Sequence, residues 1–180
     1  YVDSAMLRIY DVPVGWSMVV DERMATSAPE PSGQPIFYQK QVDPIRAWSN
    51  AEDDATDLVL VRDLTAPSPG ALDERFVGLL SEPQILTIEF GEPIDLDGAT
   101  LVADGWVEYG YSQTVFAAWQ AGKQYQPVSL EARDGHGQWH MVAKDFGYPA
   151  GMPRKMVLPL QHLPRNTRAL RLTSNMEIYW

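Results

Sequence analysis

The chain has 180 residues, 45% hydrophobic and 21% charged, the proportions of a folded globular protein rather than a disordered one. Twenty-four acidic against 14 basic residues give a net charge of −10, which argues against nucleic acid and anionic headgroups as partners, since both require a concentrated positive patch. The absence of cysteine excludes disulfides, thiolate nucleophiles, Cys-based zinc and iron–sulfur sites, and c-type haem attachment.

Fourteen prolines and 13 glycines are spread through the chain and interrupt every long helical window. "AMLRIYDV" (5–12) and "GWSMVVDERM" (15–24) read as two strands joined through Pro13. "TSAPEPSGQP" (26–35) is a polar loop, "IFYQKQV" (36–42) reads as a strand, and "ATDLVLVRDL" suits a strand or one short helix. A soft boundary falls at Pro67–Gly70, so that residues 1–75 form N-terminal strands and long loops completing the same unit, and 76–180 its main body. "QILTIEFG" (84–91) alternates, with Leu86, Ile88 and Phe90 on one face. "ATLVADGWVEYGY" continues as a strand, and "TVFAAWQAG" (114–122) is ambiguous between helix and strand. "VSLEAR" and "QWHMVAK" flank a turn at 134–137, and "RKMVLPL" (154–160) and "RALRLTSNMEIYW" (168–180) close the chain as strands. Short strands with turn signals between them predict an all-β sandwich or barrel, with an N-terminal β/loop extension. No apolar run approaches the roughly 20 residues that a membrane-spanning helix needs. The chain starts at Tyr1 rather than Met and stops on "MEIYW", which reads as a processed protein or a fragment of a longer one.

The most chemistry-like stretch is "SLEARDGHGQWHMVAK" (129–144), where Asp134, His136 and His140 lie together. The i, i+4 histidines would share a face only on a helix, and Gly135 and Gly137 make a hairpin turn instead. In that hairpin His136 sits at the tip, His140 on the return strand, and Trp139 and Met141 on the opposite face, directed to the core. His162, in "PLQHLPRN", reads as a loop or strand-edge residue. No G-x-S-x-G, H-E-x-x-H, Walker A or Rossmann fingerprint is present. "NAEDDATD" (50–57), Asp95 and Asp97 read as turn carboxylates, with a structural calcium ion as the alternative; no other cofactor is expected. The aromatic residues are the best lead. Trp106, Tyr109, Tyr111, Phe116 and Trp119 fall within fourteen residues, with Tyr148 on the "GYPAGMP" loop. Strand alternation would divide them between core and surface, and the exposed ones suit a protein interface or a sugar-stacking platform.

Two resemblances add to this reading. "LTIEFGEPIDLDG" followed by "VSLEARDGHGQWHMV" and two closing strands resembles the galactose-binding-like (discoidin-type) jelly roll over residues 80–180, which implies an antiparallel, jelly-roll-like β-sandwich. "YVDSAMLRIYDVPVGW", "DGWVEYGYSQTVFAAWQAG", "FGYPAGMPRKMVLPL" and "TSNMEIYW" resemble a region of exported bacterial cartilage-acidic-protein-like proteins. Those proteins carry FG-GAP propeller repeats, often an ASPIC/UnbV segment and sometimes tetratricopeptide repeats; the propeller motifs are absent here. The resemblance implies an exported, periplasmic or extracellular location and carries over no catalytic residue. The expected function is a non-catalytic accessory module that binds other protein subunits, a propeller-bearing protein or the periplasmic face of a membrane-protein complex. A carbohydrate-binding module is the alternative, and a hydrolase with an unrecognised site near His140 or His162 is the third.

Overall fold

The computed structural model describes residues 4–25, 30–61, 63–94 and 98–180. The chain is an all-β protein, an antiparallel β-sandwich. Its strands are β1 (Ser17–Val20), β2 (Pro35–Tyr38), β3 (Arg46–Ser49), β4 (Leu79–Glu89), β5 (Thr100–Val107), β6 (Ser129–Arg133), β7 (Trp139–Ala143), β8 (Arg154–Pro159), β9 (Ala169–Met176) and β10 (Ile178–Tyr179). Two short helices interrupt them, α1 (Thr56–Leu60) and α2 (Ser112–Gln120). A five-stranded sheet runs in the order β3-β4-β9-β6-β7, a three-stranded sheet in the order β10-β5-β8, and β1 pairs with β2 alone.

From β4 onward the chain crosses back and forth between the two larger sheets, except at the β6–β7 hairpin, which stays in the five-stranded one, and their facing sides bury one core. Ala47, Leu86, Ile88, Leu130, Leu170 and Leu172 from the five-stranded sheet meet Val107, Met156, Leu158 and Ile178 from the three-stranded one. The alternation of β4 works as the sequence predicts, with Leu86, Ile88 and Phe90 all buried. Earlier in β4 the register with β9 shifts between Leu79 and Gln84, the irregular stretch that holds Pro83, which has no N–H to donate. Gly105 in β5 lies so close to the Tyr179 carbonyl that a Cβ would collide with it, and this glycine admits β10 beside β5.

Two expectations are corrected. Residues 5–12 form no strand; they are exposed, and the first strand is confined to 17–20. A row of apolar side chains alone does not make a strand when no partner supplies the hydrogen bonds. Trp139 and Met141 do not enter the core: Trp139 is half-buried and Met141 is 51% exposed. β7 is the sheet's edge strand, and its inward side chains are the neighbouring Val142 and Ala143, packed against the core.

The N-terminal strands are fastened to β8 by a buried ion pair. Arg23 Nε donates to Asp21 Oδ2 at 2.8 Å and its Nη1 to the Phe146 carbonyl at 2.8 Å, while Asp21 Oδ1 accepts the Val157 N–H at 3.0 Å. Glu22 N donates to Lys155 O, and Met24 and Tyr148 exchange backbone hydrogen bonds at 2.9 Å.

Candidate functional site

The 134–137 turn is a hairpin turn, as the Asp-Gly pair predicts. Asp134 N donates to Gln138 O at 2.9 Å, Gly137 N to Asp134 O at 3.0 Å, and Gly137 takes a φ of +85°. Asp134 Oδ1 accepts the N–H groups of His136 (2.8 Å) and Gln138 (2.9 Å), and Oδ2 lies 2.6 Å from His140 Nε2. The His140 hydrogen bond, followed by the Gln138 amide, lowers the Asp134 carboxyl to about 2. Asp134 and His140 therefore do meet, but on an exposed turn, with the exposed His136 at its tip. Among the described residues no hydroxyl is hydrogen-bonded to His140, and His162 stands exposed in a separate loop.

The carboxylates of 50–57 serve the turn. Asp54 Oδ1 accepts both the N–H and the hydroxyl of Thr56, which lowers its pKa, and Glu52 Oε1 accepts Ser68 N. Asp95 and Asp97 lie outside the described residues. Among the described residues no group of three or more His, Asp or Glu is placed to hold a metal ion.

The six aromatic residues separate into three groups. Trp106 stacks on its cross-strand partner Tyr179, ring centroids 4.9 Å apart and planes 8° from parallel. Burial and the Glu177 carboxylate that accepts its hydroxyl push Tyr179 up to about 12. Tyr109 and Tyr148 meet edge to face at 6.1 Å, with the Tyr109 hydroxyl on the Pro149 carbonyl at 3.3 Å. Phe116 and Trp119 on α2, with Tyr111 at its N-cap, form the third group.

α2 resolves the ambiguity of 114–122 in favour of helix. Its C-terminus closes with Gly122 at φ +73°, Gly122 N on Trp119 O at 3.0 Å and Lys123 N on Ala118 O at 2.8 Å, the paired bonds of a Schellman motif. Tyr111, Val115 and Trp119 follow at i, i+4, i+8 and Phe116 sits beside them, so helical spacing rather than strand alternation gathers the rings. Ala118 is the one buried residue of the helix, packed with Phe76, Leu79 and Tyr125. Tyr111 is 70% exposed, Trp119 61% and Phe116 57%; the last two stack at 5.7 Å. The helix carries no charged side chain.

An arrangement that sequence reasoning missed covers the outer face of the five-stranded sheet. Arg171 lies 4.4 Å and Arg133 5.7 Å from the Trp139 ring centroid; at the other edge Arg46 lies 4.8 Å from Trp48. Arg171 pairs with Glu131 at 2.6 Å and Arg133 with Glu89 at 2.5 Å. The available signal was the alternation of Glu131 and Arg133 in β6, whose cross-strand partners appear only once the sheet order is known.

No protein-family model matches the chain, and comparison with curated proteins and with solved structures yields no match either. Among the described residues no helix is long and apolar enough to cross a membrane.

Proposed function

We propose that the chain is a non-catalytic docking module of a larger extracytoplasmic assembly, with the α2 face of Tyr111, Val115, Phe116 and Trp119 as its contact surface. The observation that carries this reading is that Phe116 and Trp119 on α2 and Tyr111 at its N-cap are all more than half exposed, on a helix whose one buried residue is Ala118. Exposed aromatic rings in contact, such as Phe116 and Trp119, are costly in water and are concentrated where proteins meet. Phe116 and Trp119 each cover part of a face of the other, which favours a shaped protein surface over a sugar-stacking platform. The exposed, strandless segment from Met6 to Val14 offers a second apolar surface for the same partner. The location outside the cytoplasm rests on the resemblance to exported bacterial proteins.

Affinity capture from native membrane and soluble extracytoplasmic fractions tests the proposal. The parent chain retains a partner protein in stoichiometric amount, and the Phe116→Ser/Trp119→Ser double variant, folded to the same thermal midpoint, does not. Equal retention by both chains removes α2 as the contact surface.

A further inference from the structure

A second site lies at the opposite kind of surface, polar and cationic. The 134–137 turn and the loop before β9 pack against each other so closely that a Cβ on Gly135 would come within 3.2 Å of Asn166 Cβ. Between them lies a shallow cleft of about 350 Å³, open to solvent over much of its surface and lined by Arg133, Asp134, Gly135, Gly137, Asn166 and Arg168. That volume suits a ligand of monosaccharide size. Arg133 pairs in register with Ala169, so Arg133 and Arg168 occupy adjoining places at the cleft. Arg133 is held by Glu89 and by the Trp139 ring. Arg168 is exposed, donates one N–H to the Gly91 carbonyl at 2.9 Å, and forms no ion pair among the described residues. Arg133 and Arg168 thus line a single cleft, and Arg168 has no carboxylate partner among the described residues, in a chain of net charge −10.

The geometry points to a binding site for a small hydroxylated carboxylic acid, which we propose as a function of this cleft independent of α2. A guanidinium matches a planar carboxylate with paired charge-assisted hydrogen bonds, and Arg168 retains donors for this. The Asn166 amide donates to and accepts from hydroxyl groups, and Asp134, whose oxygens are already held by the turn, accepts from them. The same carboxylate would repel an anion that brings no hydroxyl, so the cleft selects a hydroxy acid over a bare anion. The acid is either free or the acidic sugar at one end of a glycan.

Backbone-amide NMR on the whole chain, titrated with glucuronate, glucose, acetate and an oligouronate, tests the site. Glucuronate is expected to shift the amides of 133–137 and 166–168 saturably, glucose not to shift them, and acetate to bind at least about tenfold more weakly. Arg168→Gln is expected to weaken glucuronate at least about tenfold, the loss of one charge-assisted fork. Asn166 has a φ of +58°, so Asn166→Gly removes the amide without straining the loop and also weakens binding. Arg46→Gln, at the far edge of the sheet, leaves binding unchanged. Tighter oligouronate than glucuronate assigns the site to a glycan, and equal affinities assign it to the free acid. No shift, equal shifts from glucose or acetate, or unchanged binding by Arg168→Gln overturns the proposal.

Discussion

Arg171 and Trp139 face each other on the solvent side of the main sheet, guanidinium carbon to ring centroid 4.4 Å. Neither is a core residue, and the contact is fixed from below by Glu131, which lies in register with Arg171 and accepts its Nε at 2.8 Å. Trp139→Ala therefore deletes a cation–π contact and part-buried area but opens no core cavity. The expected loss is about 1–2 kcal/mol in urea unfolding, against about 3–5 kcal/mol for a core tryptophan. A loss in the upper range would place the ring in the core after all.

The Asp134 carboxyl gives the hairpin a defined acid sensitivity. Its ordinary value is 3.8 and it is held at about 2, chiefly by His140 and then by the Gln138 amide. Between those values the unfolded chain binds the proton and the folded chain does not, so the contribution is complete above about pH 4 and is lost as pH falls towards 2. Asp73, held at about 2 mainly by Arg75, titrates in the same window, so the comparison must be made between chains. Asp134→Asn is expected to show a shallower fall in thermal midpoint from pH 4 to 2 than the parent. Identical slopes would show that the turn does not depend on the charge.

The buried Asp21–Arg23 pair is the fastening of β1 and β2. Arg23→Met leaves the Asp21 carboxylate without its cationic partner, with only the backbone amides of residue 23 and of Val157 in β8 to hold it, and removal of one partner of a buried pair costs about 3–5 kcal/mol. Asp21→Asn combined with Arg23→Met is expected to cost less than the single change, because no unpaired charge remains. Hydrogen exchange is the direct measure. Amides of 17–20 and 36–38 are expected to exchange faster in Arg23→Met while those of β4 and β9 keep their protection.

Much of the sandwich is legible in local sequence, because the period-2 apolar pattern of β4 and the Asp-Gly turn between β6 and β7 encode their own geometry. What escapes is what depends on partners. "AMLRIYDV" has strand composition but forms no strand pairing among the described residues, and the inward face of β7 is decided by its place beside β6 rather than by Trp139's hydrophobicity. Helical spacing in "YSQTVFAAWQAG" fits the residues as well as strand alternation does, and the Gly122 cap with its return bonds decides between them. The grouping of Tyr111, Phe116 and Trp119, and the separation of Trp106, Tyr109 and Tyr148 from them, follows from that one local outcome. The two-turn cleft joins segments about 30 residues apart in sequence and leaves no local trace.

The aromatic face of α2 is expected to matter for partners and not for folding. Trp119→Ala exposes no core, since Ala118 is the residue that packs inward, and the unfolding free energy is expected to stay within about 0.5 kcal/mol of the parent. A loss beyond 2 kcal/mol would mean that the ring holds the helix to the body.

Site-specific photocrosslinking tests the docking role most directly. A photoreactive phenylalanine analogue is placed at position 116, on α2, or at position 141, on the exposed outer edge of the main sheet. The account expects one protein partner crosslinked in high yield from position 116 and little or none from position 141. Crosslinking from 141 with none from 116, or from neither position in the native fraction, would contradict it.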